Sequence, residues 1–349
     1  TLNGALAEVK ALSADAQNAS RYTVRLHRDV TEDVRVTGGK FTLDLNGKTA
    51  TVPSGLAISG TTDIGIQNGK PVSDVTVSSA SLTVSAAEGL GRITLQGSAN
   101  VQFYPDASAS AFKVESANAL LIMNGGTVGT IDMTGGEVRV HFNAKVTGQV
   151  NADGGELSVR EAPVFDGDVR IGGGARMTVV PNSTAKFNGV LEFAEEAVGE
   201  LAGGTYKKLG IAAGRTLSEL LKSGYVYYRV DISEFIQGKT DNLTNVKVIS
   251  HVHSIRGDGT CACGESFTAS VSSGASVDWY KTLSEALAAV KTLSAGVQDA
   301  ALYTVRLYQD AAEDISINGG KFTLDLNGQR KVITSVGNGR LDAVANAIQ

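Results

Sequence analysis

Pairs of apolar residues separated by one position return along this chain about every 19 residues, in two independent rows. One row reads Val75/Val77, Ile93/Leu95, Phe112/Val114, Ile131/Met133, then Val150, then Val169/Ile171. The other reads Leu82/Val84, Val101/Phe103, Leu120/Ile122, Val138/Val140, Leu157/Val159 and Met177/Val179, with looser rungs upstream at Leu43/Leu45 and Ile64/Ile66. Alternate side chains of a strand share a face, so each pair predicts a short strand whose two members point inward. Coils of constant length stack like strands on like, in parallel. The expected fold is therefore all-β, a right-handed parallel β-helix of about 19 residues per coil. A sandwich or an antiparallel barrel also has short strands, but nothing obliges its apolar rows to keep one pitch.

Composition agrees. Apolar residues make up 42% of the 349 residues, aromatics only 6%, and Gly reaches 41 against Pro 5, a mix suited to short strands and tight turns. Gly38-Gly39, Gly135-Gly136 and Gly154-Gly155, with Asn124-Gly125 and Asn188-Gly189, are placed at corners where the backbone needs positive φ.

A second, longer period sets the organisation. Residues 1–47, from TLNGALAEVK to FTLDLNG, return without a gap as residues 282–328, from TLSEALAAVK to FTLDLNG. The offset of 281 defines a repeating unit, and residues 282–349 read as the truncated start of the next one. Residues 1–230 are expected to form a capped β-helix, and 231–281 a linker. The leading segment 2–17 carries Leu2, Ala5, Leu6, Val9 and Leu12 at helical spacing, and its copy 283–297 keeps Leu283, Ala286, Leu287, Val290 and Leu293. A helical cap over the first coil is expected, because an open solenoid exposes unpaired strand edges. Toward the other end, 216–223 reads as a short helix and Tyr225, Tyr227 and Tyr228 as an aromatic closing strand. His27 becomes Tyr308 in the second copy, which argues for a surface residue rather than a catalytic one.

The net charge of −5 is spread without a basic block, so nucleic acid is not an expected partner. No apolar run approaches the roughly 20 residues that would cross a bilayer, and none resembles a signal peptide, so membrane insertion by this segment is not expected.

One constellation carries chemistry. In HVHSIRGDGTCACG, residues 251–264, His251, His253, Cys261 and Cys263 offer two imidazoles and two thiolates, the donor set of a tetrahedral structural zinc site. Each half is H-x-H or C-x-C, tighter than the usual spacing, so an unliganded polar loop and a redox thiol stand beside the zinc reading. A disulfide between cysteines one residue apart would be strained. The same loop holds Arg256, Gly257 and Asp258, a tripeptide that some animal integrins read and a candidate partner-binding element. Residues placed outward on the coils are mixed: Thr76, Thr94, Lys113, Asp132 and Arg170 on one row, Thr83, Gln102, Leu121, Arg139, Ser158 and Thr178 on the other. They form no evident carboxylate cluster of the kind polysaccharide-degrading enzymes use. Asp44 and Asp325 read as turn caps, and Glu192, Glu195 and Glu196 as solvated surface.

TLNGALAEVK leading to YTVRLHRDV and FTLDLNGKT, together with GGTYKKLGIAAGRTLSELLKSGYVYY ahead of a His/Cys loop, resembles the pectate-lyase-like β-helix modules of large cell-surface proteins of gut Firmicutes. The resemblance implies an extracellular, bacterial surface location and architecture rather than a reaction. The expected function is non-catalytic: a monomeric unit within an array, displaying a rigid face to a host surface or secreted protein, an immunoglobulin or a glycan. A polysaccharide lyase or hydrolase, and a purely structural stalk, are the alternatives.

Overall fold

The computed structural model describes residues 1–13, 22–236, 242–261, 263–274, 276–295, 303–311 and 322–329. It divides into two compact units, Thr1–Val252 and His253–Gln349.

The first unit is the expected parallel solenoid, built from three ladders of strands. In the first, Leu56 sits beside Val75, then Ile93, Phe112, Ile131, Val150, Val169, Leu191 and Leu209, every neighbour parallel. The second runs from Phe41 to Ile64, Leu82, Val101, Leu121, Val138, Leu157 and Met177. Their side chains fill one continuous apolar core and are essentially inaccessible to water. The third ladder has shorter strands: Leu90, Ala109, Val128, Val146, Phe165, Phe187 and Tyr206 stack in turn, all buried. It ends in an aromatic pile, with Phe187 parallel to Phe165 at 4.8 Å and to Tyr206 at 4.9 Å between ring centroids.

One coil corrects the expected register. Leu121 and Met123 point inward with 0% exposure, while Leu120 and Ile122 are half-buried on the outer face. The stretch Leu120–Met123 is apolar at all four positions, so alternation within it does not choose a face. The long-range pairing Val101↔Leu121 and Leu121↔Val138 does, and a one-residue slip would invert every side chain. Upstream, the pair that faces Ile64/Ile66 is Phe41/Leu43 rather than Leu43/Leu45, and Leu45 lies buried beyond it.

The corners use glycine in two ways. Gly39, Gly136 and Gly155 take positive φ, as expected for the paired glycines. Gly129, Gly148, Gly167 and Gly189 instead form a column in which each Cα faces the carbonyl of the glycine or serine one coil earlier, leaving no room for a Cβ. Gly167→Ala, whose methyl would clash with the Gly148 carbonyl, is expected to lower stability by about 1–3 kcal/mol, read as a shift in the urea midpoint.

Both ends of the solenoid are closed. The helix Leu2–Ser13 lays Leu2, Leu6 and Val9 on the first coil. Leu12, expected on that face, is 55% exposed, because the helix buries a narrower stripe than its apolar residues cover. The helix start is held by Glu32, whose carboxylate accepts from the Leu2 and Asn3 amides at 2.8 and 3.2 Å. The extensions expected to residues 17 and 297 lie outside the described residues. At the far end, the strand Asn242–Ser250 runs antiparallel against Thr205–Ile211 and pairs antiparallel with Tyr225–Arg229. This reversal stops the parallel stacking and covers its edge. Beneath it the 3-10 turn Leu217–Leu220 is pinned by the buried Tyr227 hydroxyl, which donates to the Leu217 carbonyl at 2.8 Å. The region expected as a linker, 231–281, is thus largely structured: its first half closes the solenoid, and its second half contributes the strands Ala269–Ser273 and Ser276–Tyr280 to the other unit. Their sequences concealed these strands: Ala269–Ser273 is short and serine-rich although paired on both sides, and Ser276–Tyr280 is largely exposed.

The second unit repeats the opening of the first. Its helix Leu283–Leu293 starts from a capping box in which the Glu285 amide donates to the Thr282 hydroxyl at 3.1 Å. Its parallel pair Thr304–Leu307 and Thr323–Asp325 reproduces the register of Thr23 on Thr42. The turn caps match too: Asp44 accepts from the Asn46 amide at 3.0 Å and from Arg25 at 2.9 Å, and Asp325 from Asn327 at 2.9 Å and Arg306 at 2.7 Å.

Candidate metal centre

The loop after the closing strand is a small hairpin whose turns are built from its own polar groups. Ile255 bridges Cys261 antiparallel, the Arg256 amide donates to the Thr260 carbonyl at 2.8 Å, and the Gly259 amide returns to the Arg256 carbonyl at 3.0 Å. Gly259 has φ +79° with the Phe267 carbonyl and the Tyr308 side chain against it, a position only glycine fits. A second tight turn follows, the Gly264 amide donating to the Cys261 carbonyl at 2.9 Å. Folding back twice in so few residues is what lets closely spaced ligands face one another.

His253, Cys261 and Cys263 belong to the second unit, and His251 lies two residues upstream on the same stretch of chain. The donor atoms of all four lie within 4.8 Å of one another. A tetrahedral ion with metal–sulfur bonds near 2.3 Å and metal–nitrogen bonds near 2.0 Å has ligand atoms about 3.3–3.8 Å apart. The Cys263 Sγ to His253 Nδ1 separation of 3.4 Å falls in that range. Both thiols are buried, with 3% and 5% exposure, and no disulfide joins them. The imidazoles are half-buried, His253 edge-on to Phe267 at 5.1 Å and His251 edge-on to Phe235 at 4.9 Å. Burial, followed by the neighbouring Cys261, pushes the Cys263 thiol up to about 12. Protonated thiols are thus what this apolar setting favours by itself, and only a cation would favour their ionised, ligating form. The donor set and spacing fit a metal ion, and the four residues form a His2Cys2 cluster that can hold one.

Protein-family models, curated proteins and solved structures contain no match to this chain.

The other expected site lies on the same hairpin. Arg256, Gly257 and Asp258 are exposed at its tip, but Asp258 is engaged locally: its Oδ1 accepts from the Thr260 amide at 2.9 Å and from the Thr260 hydroxyl at 2.6 Å. His27 is exposed just past the first strand, as expected for a surface residue. A feature the row pattern did not disclose is a polar cleft of about 300 Å³ lined by Asp168, Arg170, Glu192, Lys208 and Asn242. Arg170 and Glu192 are rung neighbours on the outer side of the first ladder, Lys208 lies on the next parallel strand of that ladder, and Asn242 arrives with the antiparallel closing strand. Its signal was hidden because Glu192 follows a coil of 22 residues, outside the regular pitch.

Proposed function

We propose that this chain is a non-catalytic display module of a tandem-repeat bacterial surface protein, presenting a rigid solenoid face to a host protein, an immunoglobulin or a glycan. The observation that carries this reading is how the outward charges are used. They pair with each other along and across the coils: Lys113 with Glu115 at 2.6 Å, Lys145 with Asp166 at 2.9 Å, Arg176 with Glu200 at 2.8 Å, and Asn151 donating to Asp132 at 2.8 Å. Each exposed pair contributes little stability alone. Together they give a patterned surface held on a stiff ladder, which lowers the entropy that a partner must overcome on binding. The 281-residue repeat supports a unit meant to recur, as in solenoid arrays with extended binding surfaces. The His2Cys2 cluster is proposed to hold zinc in a structural role, since all four positions are taken by protein ligands.

The cleft favours a second reading, a polysaccharide-degrading β-helix enzyme, because it sets carboxylates beside basic groups. Against this, Asp168 is bound into the coil by the Val190 amide at 2.8 Å, the same bond that Asp74 makes with Arg92 on an earlier coil. To separate the readings, the immobilised chain is exposed to serum and mucin, printed on a glycan array, and incubated with acidic polysaccharides. Selective retention of a host protein or glycan is expected. Chain-dependent depolymerisation that Glu192→Gln abolishes would instead establish the enzyme, and a blank in every arm would leave only a stalk.

A further inference from the structure

The two copies of the repeat opening differ in how their first strand is paired. In the second copy the strand Thr304–Leu307 has neighbours on both sides: Thr323–Asp325 in parallel, and Ala269–Ser273 antiparallel, with Ala269 opposite Leu307 and Val271 opposite Val305. In the first copy the equivalent strand, Tyr22–Arg25, pairs with Arg35–Asp44 alone among the described residues. Burial follows the pairing. Val305 has 0% exposure while its counterpart Val24 is only half-buried, and Tyr303 is half-buried where Tyr22 is 39% exposed.

Backbone amides tell the same story. The Tyr308 amide donates to the Thr268 carbonyl at 2.9 Å, so by alternation the amides of Thr304 and Arg306 also face the covering strand. Their counterparts in the first copy are Thr23, Arg25 and His27. We propose that the open edge of Tyr22–Arg25 is a docking site for an antiparallel β-hairpin of the sequence of residues 267–281, seated as Ala269–Ser273 is seated on Thr304–Leu307. This inference rests on the repeat and not on the display reading.

Several observations select that occupant. Ala269 and Val271 are buried against Val305 and Leu307, and the first copy keeps the same two apolar positions as Val24 and Leu26. Lys281 directly precedes Thr282, the counterpart of Thr1, so a hairpin joined ahead of the first helix reaches this edge by the connection the second copy already uses. Trp279 of the hairpin packs on Tyr308 with ring centroids 4.8 Å apart, and His27 offers an aromatic ring at that position. A second copy of Tyr22–Arg25 is a poorer occupant, because antiparallel pairing would bring Arg25, His27 and Arg28 of two chains onto one short edge.

The test fuses the sequence of residues 265–281 directly ahead of Thr1 in the full chain and follows amide exchange by mass spectrometry. Peptides spanning 22–27 are expected to exchange on the order of tenfold more slowly than in the unextended chain, approaching the rate of 304–308 in the same molecule. A companion variant carries proline at the position of Ser270, which lies opposite Arg306 and faces the docked edge, in the added hairpin only, and is expected to restore fast exchange. Unchanged exchange at 22–27 in the extended chain would overturn the proposal. So would equal protection with the proline variant, or an unextended chain that sediments as a dimer with 22–27 already protected.

Discussion

Phe187→Ala is expected to destabilise the solenoid by about 3–5 kcal/mol, the usual cost of deleting a buried aromatic ring. The ring is 2% exposed and lies between Phe165 and Tyr206, so the substitution removes two stacked contacts and leaves a gap that the flanking coils cannot close. Phe187→Leu, which refills much of the volume, is expected to recover about half of the loss. Two probes make the measurement specific. Urea unfolding followed by circular dichroism should move to a lower midpoint, since most of the strand content is in the first unit. The single tryptophan, Trp279, lies in the second unit beside Tyr308, so its fluorescence follows that unit separately. A loss below about 1 kcal/mol would mean that the aromatic pile does not bear on the core as its burial implies.

Removing metal is expected to have the other large effect. Structural zinc contributes apparent binding free energies of about 10–16 kcal/mol near neutral pH, and that energy is folding energy where the ligands are not otherwise held. The chain should therefore carry one zinc per molecule, and chelation should expose both thiols to titration and change Trp279 fluorescence. Cys261→Ser should abolish the stoichiometric metal. The pH sense follows from the ligands. Cys263 holds its proton up to about 12 in this setting, so binding must displace thiol protons and affinity should rise with pH, by up to about tenfold per pH unit for each proton released. Metal-free protein as purified, with both thiols freely titratable and Trp279 undisturbed by chelator, would end the zinc reading.

The His/Cys loop was legible because its residue types are rare in this chain. Both cysteines and two of the four histidines fall between 251 and 263, and the structure brings all four donors together. The H-x-H and C-x-C spacing is tighter than usual, yet the turns at Gly259 and Gly264 fold the two halves together and the four donor atoms lie within 4.8 Å of one another. The cleft beside Arg170 was not legible, since it joins one coil of irregular length to a strand that arrives more than 30 residues later in reverse direction.

Periodicity by itself determined the solenoid, the two long ladders and the 281-residue repeat, because a constant coil length leaves alternating apolar pairs no other common burial. Only the tertiary structure decided which side of Leu120–Met123 faces the core, that a third ladder ends in stacked rings, and that antiparallel strands close the far end of the first unit. Those outcomes depend on pairing between distant segments: a strand that is apolar on both faces, or polar except along one edge, carries no local mark of its register or its neighbour.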